Sequence, residues 1–272
     1  MKNPNIEFVG KTDPGRVRER NEDSIGLDED LGLLVVADGM GGHNSGEVAS
    51  SLAIETILQF ARKMLGGAKP VVPSDGDPKQ SVRSRQLAYF IRNANTVIFE
   101  KARAFPKDHG MGTTVVAVLA DDKSITVAHV GDSRLYVYRN GAIERLTEDH
   151  SLVMDQVKHG LITEEQAEKS HLQNILTRAL GTEENVQVDV QDHPAFPGDV
   201  FLLCSDGLTK ELSEPEIAEV LGGPLPLSES VDKLIEMALT AGGRDNVTVG
   251  MVRVKGGPNK GVGGFLFRLL GK

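Results

Sequence analysis

Four aspartates stand where strand-like runs meet small residues: Asp38 in VVADG, Asp132 in AHVGDS, Asp206 in LLCSDG, and Asp245 directly before VTVGMVRV. If those strand ends converge on one rim, the carboxylates repel one another unless a cation neutralises them. Carboxylate, carbonyl and water oxygens form the ligand set of hard divalent ions such as Mg²⁺ and Mn²⁺. Glycines after Asp38 let the backbone approach such an ion, so the Gly39 carbonyl joins the candidates. Upstream, RVRERNEDS gathers Arg18, Asn21, Glu22 and Asp23 into a short polar run. A guanidinium there could grip a phosphate through two parallel hydrogen bonds, beside acidic groups that support a metal site.

Each feature also has a plainer reading. Asp-Gly often marks a turn, and GDS lies between ITVAHV and RLYVYR as the tip of an ordinary hairpin would. The strand before Asp38 instead runs into GMGGHNSG and then a helix, and Asp206 leads toward a capped helix, so neither ends in a hairpin. The Arg18–Asp23 run alone reads as a solvated charged loop.

The elements that must position these residues are mostly strands. Residues 33–37, 114–120, 125–130, 135–139, 200–204 and 247–254 are rich in β-branched and apolar side chains. LYVYR-NG-AIERLT places Asn140-Gly141 between two runs, the signature of a two-residue hairpin turn and of antiparallel pairing. Helical periodicity appears over residues 46–65, again through Leu87, Ile91, Ala94, Ile98 and Ala102, and through Val231, Leu234, Ile235, Ala238 and Leu239. SEPE at Ser213 offers both halves of a capping box, and another short capped helix begins at Thr163. Each longer helix has one apolar face, so the expected fold is α+β: a central antiparallel β-sandwich flanked by helices. Residues 66–84, rich in Gly, Pro and Ser, read as an exposed loop.

The 272-residue chain can form one domain, expected over residues 1–255, with a flexible Gly-rich tail at 256–272. A formal net charge of −9 opposes nucleic-acid binding, which relies on Lys and Arg, and suits a protein that collects carboxylates. A single cysteine, Cys204, excludes an internal disulfide or a Cys-based zinc site. The N-terminus lacks a secretory pattern and no stretch is apolar enough to span a bilayer, so the expectation is a cytoplasmic monomer. The tail FLFRLLGK reads as a solvated terminus or as a docking segment for a partner or membrane surface.

Other phosphate chemistries lack their residues. A cysteine phosphatase needs Arg six positions after the nucleophile, where Cys204 has Lys210. Asn44 breaks G-x-G-x-x-G, and neither G-x-x-x-x-G-K-[ST] nor G-x-S-x-G occurs. By contrast RxxNEDS, VVADGMGGHNSGEVAS, GTT, HVGDSRLYVYR, LTEDHS, LTRALG, LLCSDGLT and DNVTV follow in one order. That series resembles the bacterial branch of the PPM family, the metal-dependent protein phosphatases of the 2C type.

The resemblance implies a Mn²⁺/Mg²⁺ centre at one edge of the sandwich. Asp38 would bridge two ions, the Gly39 carbonyl would bind one, and Asp206 and Asp245 would hold the other. Glu22 would act through a metal-bound water, and Asp132 would help hold a third ion. Arg18 would bind the substrate phosphate, and Asn246 would orient phosphate or water. A bridging hydroxide would attack phosphoserine or phosphothreonine in line, reversing Ser/Thr kinase signalling in a bacterium, with a kinase and its substrates as partners. Residues 152–184 match the flap insertion of bacterial members, which would choose among protein substrates or serve as a merely structural insertion. Met40 stands where animal members carry a proton-donating His, which leaves His43 or a water as the leaving-group acid. Two alternatives stay open: a catalytically inactive phosphoprotein-binding module, and a phosphatase dedicated to one regulator.

Overall fold

The computed structural model describes residues 3–41, 45–67, 71–73, 77–121 and 123–255. His43 and the 256–272 tail, both singled out from the sequence, lie outside the described residues. Two antiparallel sheets pack face to face. The first has the order β1 (Ile6–Asp13), β11 (Val247–Val254), β10 (Val200–Cys204), β7 (Arg134–Arg139) and β8 (Ala142–Arg145). The second has β2 (Asp23–Asp28), β3 (Leu33–Met40), β5 (Val115–Ala120), β6 (Ser124–Val130) and β9 (Asp189–Pro194), with the short β4 (Gly112–Thr113) also paired to β3.

Strand alternation divides the apolar residues into layers. On β3, Leu34 and Val36 face the other sheet, while Leu33, Val35 and Ala37 face outward under α1 (Ser45–Leu65) and α2 (Val82–Ala104). On β10, Phe201 and Leu203 point between the sheets, while Val200, Leu202 and Cys204 pack outward beneath α6 (Glu214–Gly222) and α7 (Leu227–Ala241). Both sheets are thus apolar on both faces, which explains why their central strands read as continuous apolar runs rather than alternating ones. The small α3 (Leu152–Lys158) and α4 (Glu164–Glu168) lie in the 152–184 segment, and α5 (Asp206–Thr209) is a single turn.

The helix stripes, the Asn140-Gly141 turn, the Ser213 capping box and the capped helix start at Thr163 form as the sequence predicts. Asn140 and Gly141 have φ of 53° and 82°, as a hairpin of two left-handed residues requires. Two expectations change. Two strands, β1 and β2, precede residues 33–37; Arg18–Glu22 lies in the connection between them and Asp23 opens β2. The GDS segment is also no hairpin tip, because β6 belongs to one sheet and β7 to the other. Residues 131–133 therefore carry the chain across the rim. Gly131 has φ of 105° there, and a Cβ on it would lie 2.6 Å from the Thr114 Cβ.

Candidate metal-dependent active site

Antiparallel pairing gathers the acidic residues at one end of the sandwich. Asp38 near the end of β3 is the registered partner of Asp23 at the start of β2. Asp206 follows β10, and Asp245 precedes the antiparallel β11, so both emerge at the same end. Asp132 lies in the crossover after β6. Burial and the charges of Asp23, Asp206, Asp132 and Asp245 push the Asp38 carboxyl well above the usual range. Asp132 is pushed up to about 7 by burial and then by Asp206 and Asp149. Burial also raises Glu22.

Asp23, which the sequence offered only as part of a charged run, is the most enclosed carboxylate of the group at 5% exposure. Its Oδ2 accepts hydrogen bonds from the Ser205 hydroxyl (2.7 Å) and the Thr248 hydroxyl (2.6 Å). Burial still pushes it up to about 7. Thr12 and Thr248 share a 2.6 Å hydroxyl contact, and Asn21 donates to Thr12, which extends this polar chain toward the Arg18–Glu22 loop.

The loop itself is fixed by Asn246. Its Oδ1 accepts from the Glu22 amide (2.8 Å), and its Nδ2 donates to the carbonyls of Pro14 (2.9 Å) and Arg20 (2.8 Å). Both amide protons are therefore used within the protein, and the side chain acts as a brace. Arg18 forms a fork on Asp245, with Nε–Oδ1 at 3.0 Å and Nη2–Oδ2 at 3.1 Å. Gly39 donates to the Glu22 carbonyl at 3.1 Å. A Cβ on Gly39 would lie 2.1 Å from the Gly46 carbonyl oxygen, and one on Gly46 would lie 2.7 Å from the Glu22 carboxyl carbon. Only glycines admit this approach. Met40 covers Gly112 with its Cε, an apolar contact at the position after Gly39.

The GTT segment anchors Asp38. The Thr114 amide donates to the Asp38 carbonyl (2.8 Å), the Thr113 hydroxyl donates to the same carbonyl (2.8 Å), and the Asp38 amide donates to the Thr114 hydroxyl (3.0 Å). LTEDHS braces the Asp132 crossover. Arg134 grips Asp149 through both oxygens, the His150 amide donates to the Gly131 carbonyl, and the Gly131 amide donates to His150 Nδ1. That last bond places the His150 proton on Nε2, which donates to Asp189 at 3.2 Å, while Arg178 of the 152–184 segment donates to the other Asp189 oxygen. His129 stacks on His150 at 4.6 Å and bonds the Glu148 carbonyl through Nε2. His129, His150 and Asp189 come close enough to resemble a metal cluster. His150 Nε2, however, carries its proton and has no free lone pair for a cation, so the group is a hydrogen-bonded clamp.

The rim fits hard divalent cations on the structure's own terms. Every donor is an oxygen, the carboxylates raise one another's proton affinity, and Asp23 Oδ1 and Asp206 Oδ1 are buried without a hydrogen-bond partner. An open groove of about 1280 Å³ leads from Asp132, Asp206 and Asp245 between the 152–184 segment and α6, lined also by Met154, Asn174 and Glu214.

Sequence and structure comparisons agree with this arrangement. The protein phosphatase 2C family profile matches residues 16–247. The serine/threonine phosphatase stp of Listeria monocytogenes is 39% identical over 245 residues, spanning 89% of this chain and 93% of that protein. Stp1 from Staphylococcus aureus superposes with a TM-score of 0.82 at 32% identity, covering 94% of this chain and 97% of that one. The catalytic domain of the serine threonine protein phosphatase PstP, in complex with two manganese ions, gives 0.78 at 35% identity over 92% and 99%. The converged carboxylates, the glycine-lined approach and these likenesses lead to one assignment: the chain belongs to the protein phosphatase 2C family and is a serine/threonine protein phosphatase.

Proposed function

We propose that the chain hydrolyses phosphoserine and phosphothreonine on proteins by direct attack of water at a Mn²⁺ or Mg²⁺ centre held by the rim carboxylates. The observation that carries this reading is the cluster of mutually repelling carboxylates, two of whose members keep a buried oxygen without a partner. Asp38 and the Gly39 carbonyl would hold one ion and Asp38, Asp206 and Asp245 the other, with Glu22 acting through water and Asp132 contributing to a third. When bound, such ions supply an ionised attacking water at neutral pH and neutralise charge on the attacking and leaving oxygens.

The chain's own residues do the rest. Thr113 and Thr114 fix the Asp38 backbone, so its carboxylate keeps one orientation. Asn246 fixes the loop carrying Arg18 and Glu22. Arg18, half-exposed beside Asp245, exchanges that carboxylate for the phosphate's non-bridging oxygens and offers them the same fork. Met40 cannot transfer a proton, so the leaving-group proton comes from His43 or from water. We assign the 152–184 segment to choosing substrates, because it walls the groove above the carboxylates. A cytoplasmic, monomeric enzyme acting against a Ser/Thr kinase completes the reading, and residues 1–255 form its phosphatase domain.

The mechanism is tested by mixing the enzyme with a ³²P-labelled phosphothreonine protein and quenching in acid during turnover. Direct attack predicts labelled phosphate and no labelled enzyme. Stoichiometric label on the enzyme overturns it.

A further inference from the structure

Lys210 enters none of the roles above, yet its ammonium lies among the carboxylates. It stands one turn after Asp206, where its amide donates to the Asp206 carbonyl at 2.8 Å. Its side chain turns back so that Nζ pairs with Asp206 Oδ2 and lies 3.9 Å from Asp245 Oδ2. The side chain is 29% exposed. These two aspartates are the pair read above as completing one of the two ion sites. On the opposite side, neither Asp38 nor Glu22 has an ion pair with Lys or Arg among the described residues.

An ammonium is a compact cation with three donors and no acceptor. It cannot share a cation's ligand shell, and a dication taking the same oxygens must expel it against mutual repulsion. The tether is short and the helical turn fixes its origin, so the local concentration of this internal cation is high and constant. Arg18 also holds Asp245, but through an exposed fork that can leave for a phosphate.

We propose that Lys210 is a tethered competitor for the cation held by Asp206 and Asp245, so the two ions bind with unequal affinity and the weaker site is the one Lys210 occupies. Lys210 thereby neutralises those carboxylates in the metal-free protein and sets the free-ion level at which the centre becomes complete. This inference rests on the two-ion reading of the rim. A purely structural role, closing the turn of α5, predicts a different pattern.

The test is Mn²⁺ titration of the chelator-stripped full chain, with free Mn²⁺ read by electron paramagnetic resonance at fixed pH and ionic strength. Wild type is expected to show a tight and a weak class, and Asp245→Asn to lose the weak one. Lys210→Met and Lys210→Gln are expected to tighten the weak class at least about tenfold, or about 1.4 kcal/mol, leaving the tight class within about twofold. Both variants should melt lower than wild type when metal-free and no lower when Mn²⁺-saturated. Unchanged Mn²⁺ affinities, with a lower melting temperature in both states, would overturn the proposal and leave a simple salt bridge. Two classes in wild type with that null result would sink only the role of Lys210. Wild type that binds no Mn²⁺ would sink the two-ion reading with it.

Discussion

His150 gives part of the fold's response to acid a specific origin. Burial, the neighbouring His129 and the Arg178 guanidinium lower its pKa to about 4, whereas an unfolded histidine titrates near 6.5. The folded state therefore prefers the neutral ring. Its contribution is fully present above about 6.5 and is lost as pH falls toward 4. Between pH 7.5 and pH 5 the unfolded chain takes up a proton that the folded chain refuses, and linkage with these two pKa values puts the loss at about 2 kcal/mol. The geometry explains the refusal, since Nδ1 already accepts the Gly131 amide and cannot also carry a proton. The comparison is His150→Asn, whose Oδ1 can take over the bond from Gly131 but cannot titrate. In metal-free protein the raised carboxyls of Asp23 and Asp132 take up protons over the same interval and favour the fold in both proteins alike, so the reading is the difference: on urea unfolding, the change from pH 7.5 to pH 5 should be about 2 kcal/mol less favourable for wild type than for the variant. The variant should start lower at pH 7.5, because it loses the Asp189 bond and ring packing. Equal losses in the two proteins would refute the argument.

Four further outcomes follow from the same geometry. Phe201→Ala empties a fully buried position between the sheets and should cost about 3–5 kcal/mol in urea unfolding. Gly46→Ala adds a good helix former but brings a Cβ within 2.7 Å of the Glu22 carboxyl carbon and 2.9 Å of the Gly39 backbone carbon; it should raise the Mn²⁺ concentration for half-maximal activity and lower the melting temperature. Gly131→Ala forces a φ of 105° on a residue with a side chain and crowds Thr114; about 1–3 kcal/mol of stability should be lost. Arg18→Ala should raise KM for a phosphopeptide more than it lowers kcat, measured by steady-state phosphate release.

Much of this was legible in the residues, and the gaps have physical causes. Long helices announce themselves because one apolar stripe repeats over several turns, as in α1 and α2. The central strands were clear because both of their faces are buried. β1, β2 and β9 were not, since DSIGLD and DVQDHP mix charged residues with few apolar ones and lie at sheet edges. Without β2 there is no register with β3, so nothing in the sequence could pair Asp23 with Asp38. The Asp132 crossover was hidden for another reason: three residues between two strands read alike whether the strands are neighbours or belong to opposing sheets. Asn246 was visible beside Asp245, but its three bonds to the 14–22 segment depend on contacts more than two hundred positions apart. In the sequence Lys210 stands out only as the residue that spoils a cysteine-phosphatase motif. Its i,i+4 spacing from Asp206 was available as a hint of an ion pair.

The proposed mechanism requires that Asp38 serve both ions. Phosphate release from a phosphothreonine peptide, followed for wild type and Asp38→Asn with Mn²⁺, with EDTA, and after Mn²⁺ is restored, tests that claim most directly. Wild type should release phosphate, lose that release in EDTA and regain it when Mn²⁺ is restored. Asp38→Asn should lose at least about a thousandfold while cooperative unfolding is retained. Undiminished release in EDTA, or from Asp38→Asn, would refute the mechanism.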